Sequence, residues 1–200
     1  MQKINYQLEL DKTLAEITKT GKRPSLLLHS CCAPCSSYVL EYLTDFFDIT
    51  DFYYNPNISP ETEYRHRVDE MKRLINEMCP QVAFIEGKYE PERFFEMAKG
   101  LEKEPERGKR CLKCYRMRIE EAAREAKKQG SDFFTTTLSI SPQKDSQILN
   151  SIGRQVSEEF GVPYLFSDFK KKGGYKRSIE LSGEYHLYRQ NFCGCPFSRR

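Results

Sequence analysis

The sequence predicts an α/β fold organised on a parallel sheet, and two observations predict it. Short apolar runs, of which Leu26-Leu27-Leu28 is the clearest, alternate with longer amphipathic stretches of helical period. That order calls for right-handed strand–helix–strand units and parallel pairing. The loops beginning at His29, Asn55 and Ser139 each follow an apolar run and are rich in Ser, Pro, Asn or Cys. In such folds ligands bind beyond the carboxyl ends of the strands, so these three loops are expected to face one cleft.

Residues 1–24 read as an N-terminal helical extension, with Leu8, Leu10, Leu14 and Ile17 as its stripe and Gly21 and Pro24 as its end. Ser25 to Ser30 reads as a buried strand. Pro34 suits the first turn of the helix that carries Tyr38, Val39, Tyr42, Leu43 and Phe46. Ile49 to Tyr54 is the next strand. It opens into Asn55-Pro56-Asn57-Ile58-Ser59-Pro60, where Ser59 is the expected cap and Pro60 the first helical residue. Tyr64, Val68, Met71, Leu74, Ile75 and Met78 mark one helix face. Val82 to Ile85 is a third strand, Pro91 to Ala98 a short helix, and Lys99 to Arg110 an exposed charged loop. Cys111 to Lys128 is helical and stops at Gly130. Phe133 to Leu138 is a fourth strand, Asp145 to Phe160 a helix, and Tyr164 to Phe166 a fifth short strand. Residues 168–200 form a basic loop, a helix from about Ser178 to Arg189, and a closing Cys-x-Cys segment.

With 200 residues, one domain is expected. Charged residues at 30% against 38% hydrophobic exclude a disordered chain, and no apolar run approaches the ~20 residues of a membrane span. Met1 to Lys22 lacks a signal-peptide core, so a cytoplasmic protein is expected, with no membrane partner. A net charge of +3 gives no argument for nucleic acid, which leaves local patches to make one.

In a reducing compartment the 8 cysteines point to metal or redox chemistry before disulfides. Seven fall into three groups: Cys31-Cys32-Ala33-Pro34-Cys35, Cys111-x-x-Cys114 and Cys193-Gly194-Cys195. Cys111 and Cys114 share a helix face, and the helix start with Arg110 and Lys113 favours thiolate. Adjacent Cys31 and Cys32 cannot both face a core from a strand, but a loop lets both turn to one ligand. Cys193 and Cys195 can act as two ligands or as a strained disulfide that cycles. Cys79 has no cysteine near it in sequence and reads as a helix-end residue. Seven thiols in three groups exceed what one zinc needs, whereas an iron–sulfur cluster with thiols left for redox work uses them. His29 is read equally as packing or as part of the site, and Asp168 equally as a cap, a proton donor or a metal ligand. The run Lys170 to Arg177, with interleaved Gly and Tyr, is read equally as a solvated surface or as a phosphate contact, extended by Tyr185, Tyr188 and Arg189. No phosphate-loop or dinucleotide glycine motif is present, so no nucleotide cofactor is expected.

Five segments together resemble the epoxyqueuosine reductase QueH family: His29-Ser30-Cys31-Cys32-Ala33-Pro34-Cys35, Tyr54-Asn55-Pro56-Asn57-Ile58, Cys111-x-x-Cys114-Tyr115-x-x-Arg118, Thr135 to Pro142, and Leu187-Tyr188-Arg189-Gln190-x-Phe192-Cys193-Gly194-Cys195. The resemblance covers the chain from Ser25 onward. It implies a three-layer HUP-like fold, related to PP-loop proteins, with a cysteine-rich cleft at the carboxyl ends of the strands. It implies an oxidoreductase that removes the epoxide oxygen of epoxyqueuosine at the tRNA wobble position, without cobalamin. By matching motif, Cys31, Cys32, Cys111 and Cys114 look like the ligands of a [4Fe–4S] cluster, and Cys193 and Cys195 like a redox-active pair. Cys35 is left as a ligand of an additional iron, with Cys195 or Asp168 beside it, and Asp168 or a tyrosine as the proton donor. Asn55, Asn57, Lys171, Lys172, Tyr175, Arg177, Tyr188 and Arg189 are the expected contacts to the tRNA, and an electron donor not specified by the sequence completes the partners. Two other readings are an iron–sulfur tRNA sulfur transferase, which would need ATP, and a zinc-binding RNA module without enzymatic activity.

Overall fold

A computed structural model of the protein describes residues 3–198. Four parallel strands lie in the order β3-β2-β1-β4, with β1 Ser25–Ser30, β2 Asp48–Tyr53, β3 Ala83–Glu86 and β4 Phe133–Thr136. The helices are α1 Tyr6–Thr20, α2 Ala33–Leu43, α3 Glu61–Met78, α4 Pro91–Ala98, α5 Lys109–Gln129, α6 Ser146–Phe160 and α7 Gly174–Glu184. The chain runs outward from β1 through β2 to β3, then crosses back to place β4 on the other side of β1. The crevice where the strand order reverses therefore lies between the carboxyl ends of β1 and β4.

Alternation along β1 divides the core into two layers. Leu26 and Leu28 join Leu10 of α1, Leu40 of α2 and Leu74 of α3 on one face. Leu27, between them, joins Phe134 of β4, Ala122 of α5 and Leu149 of α6 on the other. A strand buried on both faces needs a continuous apolar run, which is what Leu26-Leu27-Leu28 supplies. The result is a three-layer helix–sheet–helix arrangement. No helix among the described residues is long and apolar enough to cross a membrane.

Several elements depart from expectation for physical reasons. Met1 and Gln2 of the expected first helix lie outside the described residues. Leu8 faces solvent, and Tyr6 is buried in its place, stacked on Phe166 with ring centroids 5.8 Å apart. The fourth strand stops at Thr136, because the Thr136 hydroxyl accepts the Leu138 N–H and turns Thr137–Ile140 into a 3₁₀ helix. The expected fifth strand is reduced to one parallel bridge, Phe134 with Tyr164. The Asn150 side chain takes both the N–H and the C=O of Ser167, at 2.9 and 2.8 Å, and so ends the pairing. The last helix begins at Gly174 and ends at Glu184. His186, at φ 48°, then turns the chain back before Arg189. Ser59 does not cap α3, since Pro60 is the flanking residue and the Ser59 N–H donates to the Gly194 carbonyl at 3.0 Å.

Candidate active site at the carboxyl ends of the strands

His29 ties the ends of β1, β2 and β4 together. Its Nε2 lies 3.0 Å from the Tyr54 carbonyl and its Nδ1 2.8 Å from the Thr136 hydroxyl. A carbonyl only accepts, so Nε2 carries the proton and Nδ1 accepts from Thr136. Burial, with Arg118 nearby, pushes the imidazole down to about 3, which keeps it neutral in this role. The Asn55 amide donates to the Ser30 carbonyl at 2.9 Å, which closes the β2 loop onto the end of β1. Beneath them Ser36 donates to Ser30 at 3.0 Å, and Ser30 donates to the buried Asp51 carboxyl.

On this frame the β1–α2 loop presents three thiols. Cys32 is the extended residue preceding α2, with Pro34 in the first turn. The sulfurs of Cys31, Cys32 and Cys35 all lie within 4.8 Å of one another, with Cys31 and Cys32 at 3.8 Å. The Cys31 N–H donates to the Thr137 hydroxyl at 3.3 Å, and that hydroxyl points at the Cys31 sulfur at 3.6 Å, which fixes the thiol across the crevice. Hydrogen bonds from Cys32 and Cys35, aided by Lys144 and Arg118, hold the Cys31 thiol well below its usual range. The bond to Cys31 pushes Cys32 up to about 11, and the bonds to Cys31 and Cys32 hold Cys35 well above its usual range. The trio therefore reads as one thiolate solvated by two thiols.

Cys193 and Cys195 arrive on a segment without strand or helix, and neighbours hold it in place. Asn57 donates to the Cys193 carbonyl at 3.3 Å, and Arg67 reaches the Phe192 carbonyl at 3.4 Å from its 2.7 Å ion pair with Glu63. Gly194 sits at φ 94°, and a Cβ there would meet Ile58 Cγ1 at 2.7 Å, so only glycine fits. A hydrogen bond from Cys195, with the Ser198 hydroxyl and Lys144 assisting, pulls Cys193 down to about 5. The same bond pushes Cys195 far up, and Cys195 is buried in an apolar cluster with Cys114, Met117 and Phe94.

Cys111 and Cys114 stand in the first turns of α5. Cys114 is buried and raised to about 11 by that burial, and Cys111 is half-buried, raised by burial, with the Arg107 N–H on its sulfur at 3.3 Å. Neither belongs to the group of sulfurs within 4.8 Å formed by the trio. Arg118, one turn on and 4% exposed, links the groups: it donates to the Asn55 side chain and to Cys114 and faces Cys31 and Cys193.

A cavity of about 660 Å³ opens over the thiols. Cys31, Cys32, Cys35 and Cys193 line it, and Tyr175 and Arg189 of the expected substrate contacts do so too. Other expected contacts point elsewhere. Lys172 pairs with Asp11 at 2.7 Å, Arg177 with Glu41 and Glu184 at 2.7 Å each, and the Tyr188 hydroxyl donates to Glu63 at 3.2 Å. Lys171 is exposed outside the cavity lining. Asn55 and Asn57 are buried scaffold residues, as their bonds above show. Asp168 is buried, accepts from Ser146 at 3.0 Å and pairs with Lys170 at 2.8 Å, without lining the cavity. Two lining cations, Lys144 and Arg67, were missed in the sequence. Lys144 is an isolated basic residue, and Arg67 follows Arg65 and His66 on a charged helix, so no local pattern points either of them at the cavity. A larger groove of about 910 Å³ between α4, α5 and α6 contains none of the thiols.

These features define a class: a parallel α/β protein whose crevice at the end of β1 holds thiols where a nucleotide-binding protein of this architecture would hold a phosphate loop. The donor set fits a thiophilic metal, with soft sulfurs gathered in one place and Lys144 and Arg118 beside them to offset negative charge. The sequence profile of the family described as epoxyqueuosine reductase QueH matches residues 26–200. The epoxyqueuosine reductase QueH of Staphylococcus epidermidis is 45% identical over 98% of this chain and 85% of its own length. That of Streptococcus pyogenes is 42% identical over 100% and 80%, and that of Thermotoga maritima 37% identical over 87% and 90%. The chain belongs to the epoxyqueuosine reductase QueH family.

Proposed function

We infer that this protein is an epoxyqueuosine reductase, an oxidoreductase of queuosine biosynthesis that removes the epoxide oxygen of epoxyqueuosine carried at the wobble position of a tRNA. The family match over residues 26–200 carries the reading, and the thiols lining one cavity support it. Cys31, Cys32, Cys111 and Cys114 would hold a [4Fe–4S] cluster, and Cys35 an additional iron. When bound, the cluster supplies electrons one at a time. Cys193, drawn toward thiolate beside protonated Cys195, is set up as half of a redox pair. The cavity, at about 660 Å³, has room for one nucleoside and no room for a stem, so the modified base must be flipped out of the anticodon stack. Arg189 and Tyr175, on the cavity wall, are placed for the backbone and base of that nucleotide. The partners are this tRNA and a separate electron donor, and the compartment is the cytoplasm. The chain acts as a single domain.

The test is reconstitution under anaerobic conditions with iron and sulfide, followed by incubation with epoxyqueuosine-containing tRNA and dithionite. The expected product nucleoside is lighter by one oxygen, and the loaded protein shows a broad visible absorption that dithionite bleaches. Stoichiometric zinc without labile sulfide would refute the cluster. An unchanged nucleoside would refute the activity.

A further inference from the structure

Four cations line the thiol cavity, and three of them have protein partners. Arg67 pairs with Glu63, Arg118 donates to Asn55 and Cys114, and Arg189 donates to Ser182 at 3.3 Å. Lys144 differs. Among the described residues no carboxylate or carbonyl receives its ammonium, and it lines the cavity with Cys31, Cys35 and Cys193, of which Cys31 and Cys193 are the thiols drawn toward thiolate.

Its backbone, by contrast, is held firmly. The Lys144 N–H donates to the Ser141 carbonyl at 3.1 Å. The Lys170 ammonium reaches across to the Lys144 carbonyl at 3.4 Å and the Ser139 carbonyl at 2.7 Å. Lys170 is itself fixed by its 2.8 Å ion pair with Asp168. A loop fixed at both carbonyls, carrying a cation aimed into the thiols with no protein partner, is a pre-organised site for an oxygen that gains negative charge.

We propose that the Lys144 ammonium meets the epoxide oxygen, and that the Asp168–Lys170 pair is the strut that positions it. The proposal rests on the reading of the chain as an epoxyqueuosine reductase. In that reaction two C–O bonds break and one C=C bond forms. The reductant supplies two electrons, and the oxygen leaves as water with two protons. An alkoxide is a poor leaving group, so the opening of the first C–O bond needs a proton donor at the oxygen. Lys144 gives that proton and regains it from water, and the second proton comes from water. Lys144 is thus the catalytic residue, and Asp168, which does not line the cavity, is a positioning residue.

The experiment compares wild type with Lys144→Met, Lys144→Arg, Asp168→Asn and the Lys144→Met/Asp168→Asn double variant, each reconstituted with iron and sulfide and assayed on epoxyqueuosine-tRNA with dithionite. Iron content, reduction potential and tRNA binding by the metal-free protein are read alongside kcat and KM. Lys144→Met is expected to lose about 100-fold in kcat, with iron, potential and tRNA binding as in wild type. Lys144→Arg, which keeps the charge, is expected to recover part of that loss. Asp168→Asn is expected to lose about tenfold in kcat, and nothing further once Lys144 is gone, the non-additivity of a residue acting through another. Full kcat in Lys144→Met overturns the proposal. So does a loss confined to KM, which would make Lys144 a tRNA contact, or a loss of iron or a shifted potential that accounts for the rate. Additive losses in the double variant overturn the strut. A wild-type protein that leaves epoxyqueuosine intact overturns the functional reading, and this proposal with it.

Discussion

The trio of Cys31, Cys32 and Cys35 and the pair of Cys193 and Cys195 enter the same cavity by opposite routes. The trio is set by regular structure: its loop joins the central strand to α2, and its sulfurs lie within 4.8 Å of one another. His29, Asn55 and Thr137 lock the strand ends around it. Moving it means breaking the middle of the sheet. The pair is set from outside, by single bonds from Asn57, Ser59 and Arg67 to three successive carbonyls or their neighbours. Releasing it costs about three hydrogen bonds, each contributing roughly 1 kcal/mol, and the packing of Cys195 against Phe94 and Met117. The difference teaches a division of work. Under the proposed function, a fixed platform would suit metal ligands and a tethered segment would suit thiols that are oxidised and reduced.

The sharpest way to break that division is to remove one sulfur from each region. Cys32→Ser is expected to lose both bound iron and turnover, measured by metal analysis and by nucleoside conversion. Cys193→Ser is expected to lose turnover while keeping the iron. If iron leaves in Cys193→Ser, the pair belongs to the platform and the comparison fails. Gly194→Ala is a gentler probe of the tether. Its Cβ has to displace Ile58 from 2.7 Å and sit at φ 94°, so the pair moves. Turnover is expected to fall about tenfold, with stability in urea lowered by only about 1–2 kcal/mol. Unchanged turnover would show that the exact seat of the pair does not matter.

The platform also carries a buried carboxyl whose protonation can be read in stability. Asp51 is fully buried under Ser30, near Cys31 and Cys79, and burial raises its carboxyl from 3.8 to about 8. Between those values the folded protein holds a proton that the unfolded chain releases. Stability from this group is complete below pH 3.8 and declines as pH rises toward 8, by up to about 1.4 kcal/mol per unit. Asp51→Asn removes the slope. Urea unfolding of the metal-free proteins from pH 5 to pH 8 is expected to show the variant gaining on wild type as pH rises. A difference that stays constant with pH would mean that the carboxyl is ionised in the fold.

What the sequence made legible follows the same line. The β1 loop was readable because its pattern is local: an apolar strand, adjacent cysteines, and a proline in the first helical turn. The sheet was readable from alternating apolar runs. Two elements were not. Tyr164 has strand character, but Asn150, 17 residues before Ser167 along the chain, takes the backbone groups of Ser167 that pairing would need. Thr136 reads as strand, yet its own hydroxyl caps the next turn. In the site, Arg118 and Lys144 carry the electrostatics: Arg118 closes the Cys111-x-x-Cys114-Tyr115-x-x-Arg118 motif, whose spacing does not say which groups it faces, and Lys144 is a single cation with no run to mark it. Their meaning comes only from the tertiary convergence of α5 and the loop after β4.

The basic segment from Lys170 to Arg177 gives the opposite lesson and the smallest expected effect. As a run of charge it invites assignment to the tRNA backbone. In the fold Lys170 holds Asp168, Lys172 holds Asp11 and Arg177 holds Glu41 and Glu184, so these cations are largely neutralised where they stand. Arg189, isolated in sequence, lines the cavity and has no carboxylate partner among the described residues. Removing a half-exposed ion pair such as Lys172–Asp11 changes stability by about 1 kcal/mol or less. Lys172→Ala is therefore expected to shift tRNA affinity less than twofold at moderate salt, whereas Arg189→Ala weakens it several-fold and reduces its salt dependence. Filter binding across a salt series separates the two. A larger loss from Lys172→Ala than from Arg189→Ala would return the tRNA contact to the charged run and move it away from the thiol cavity.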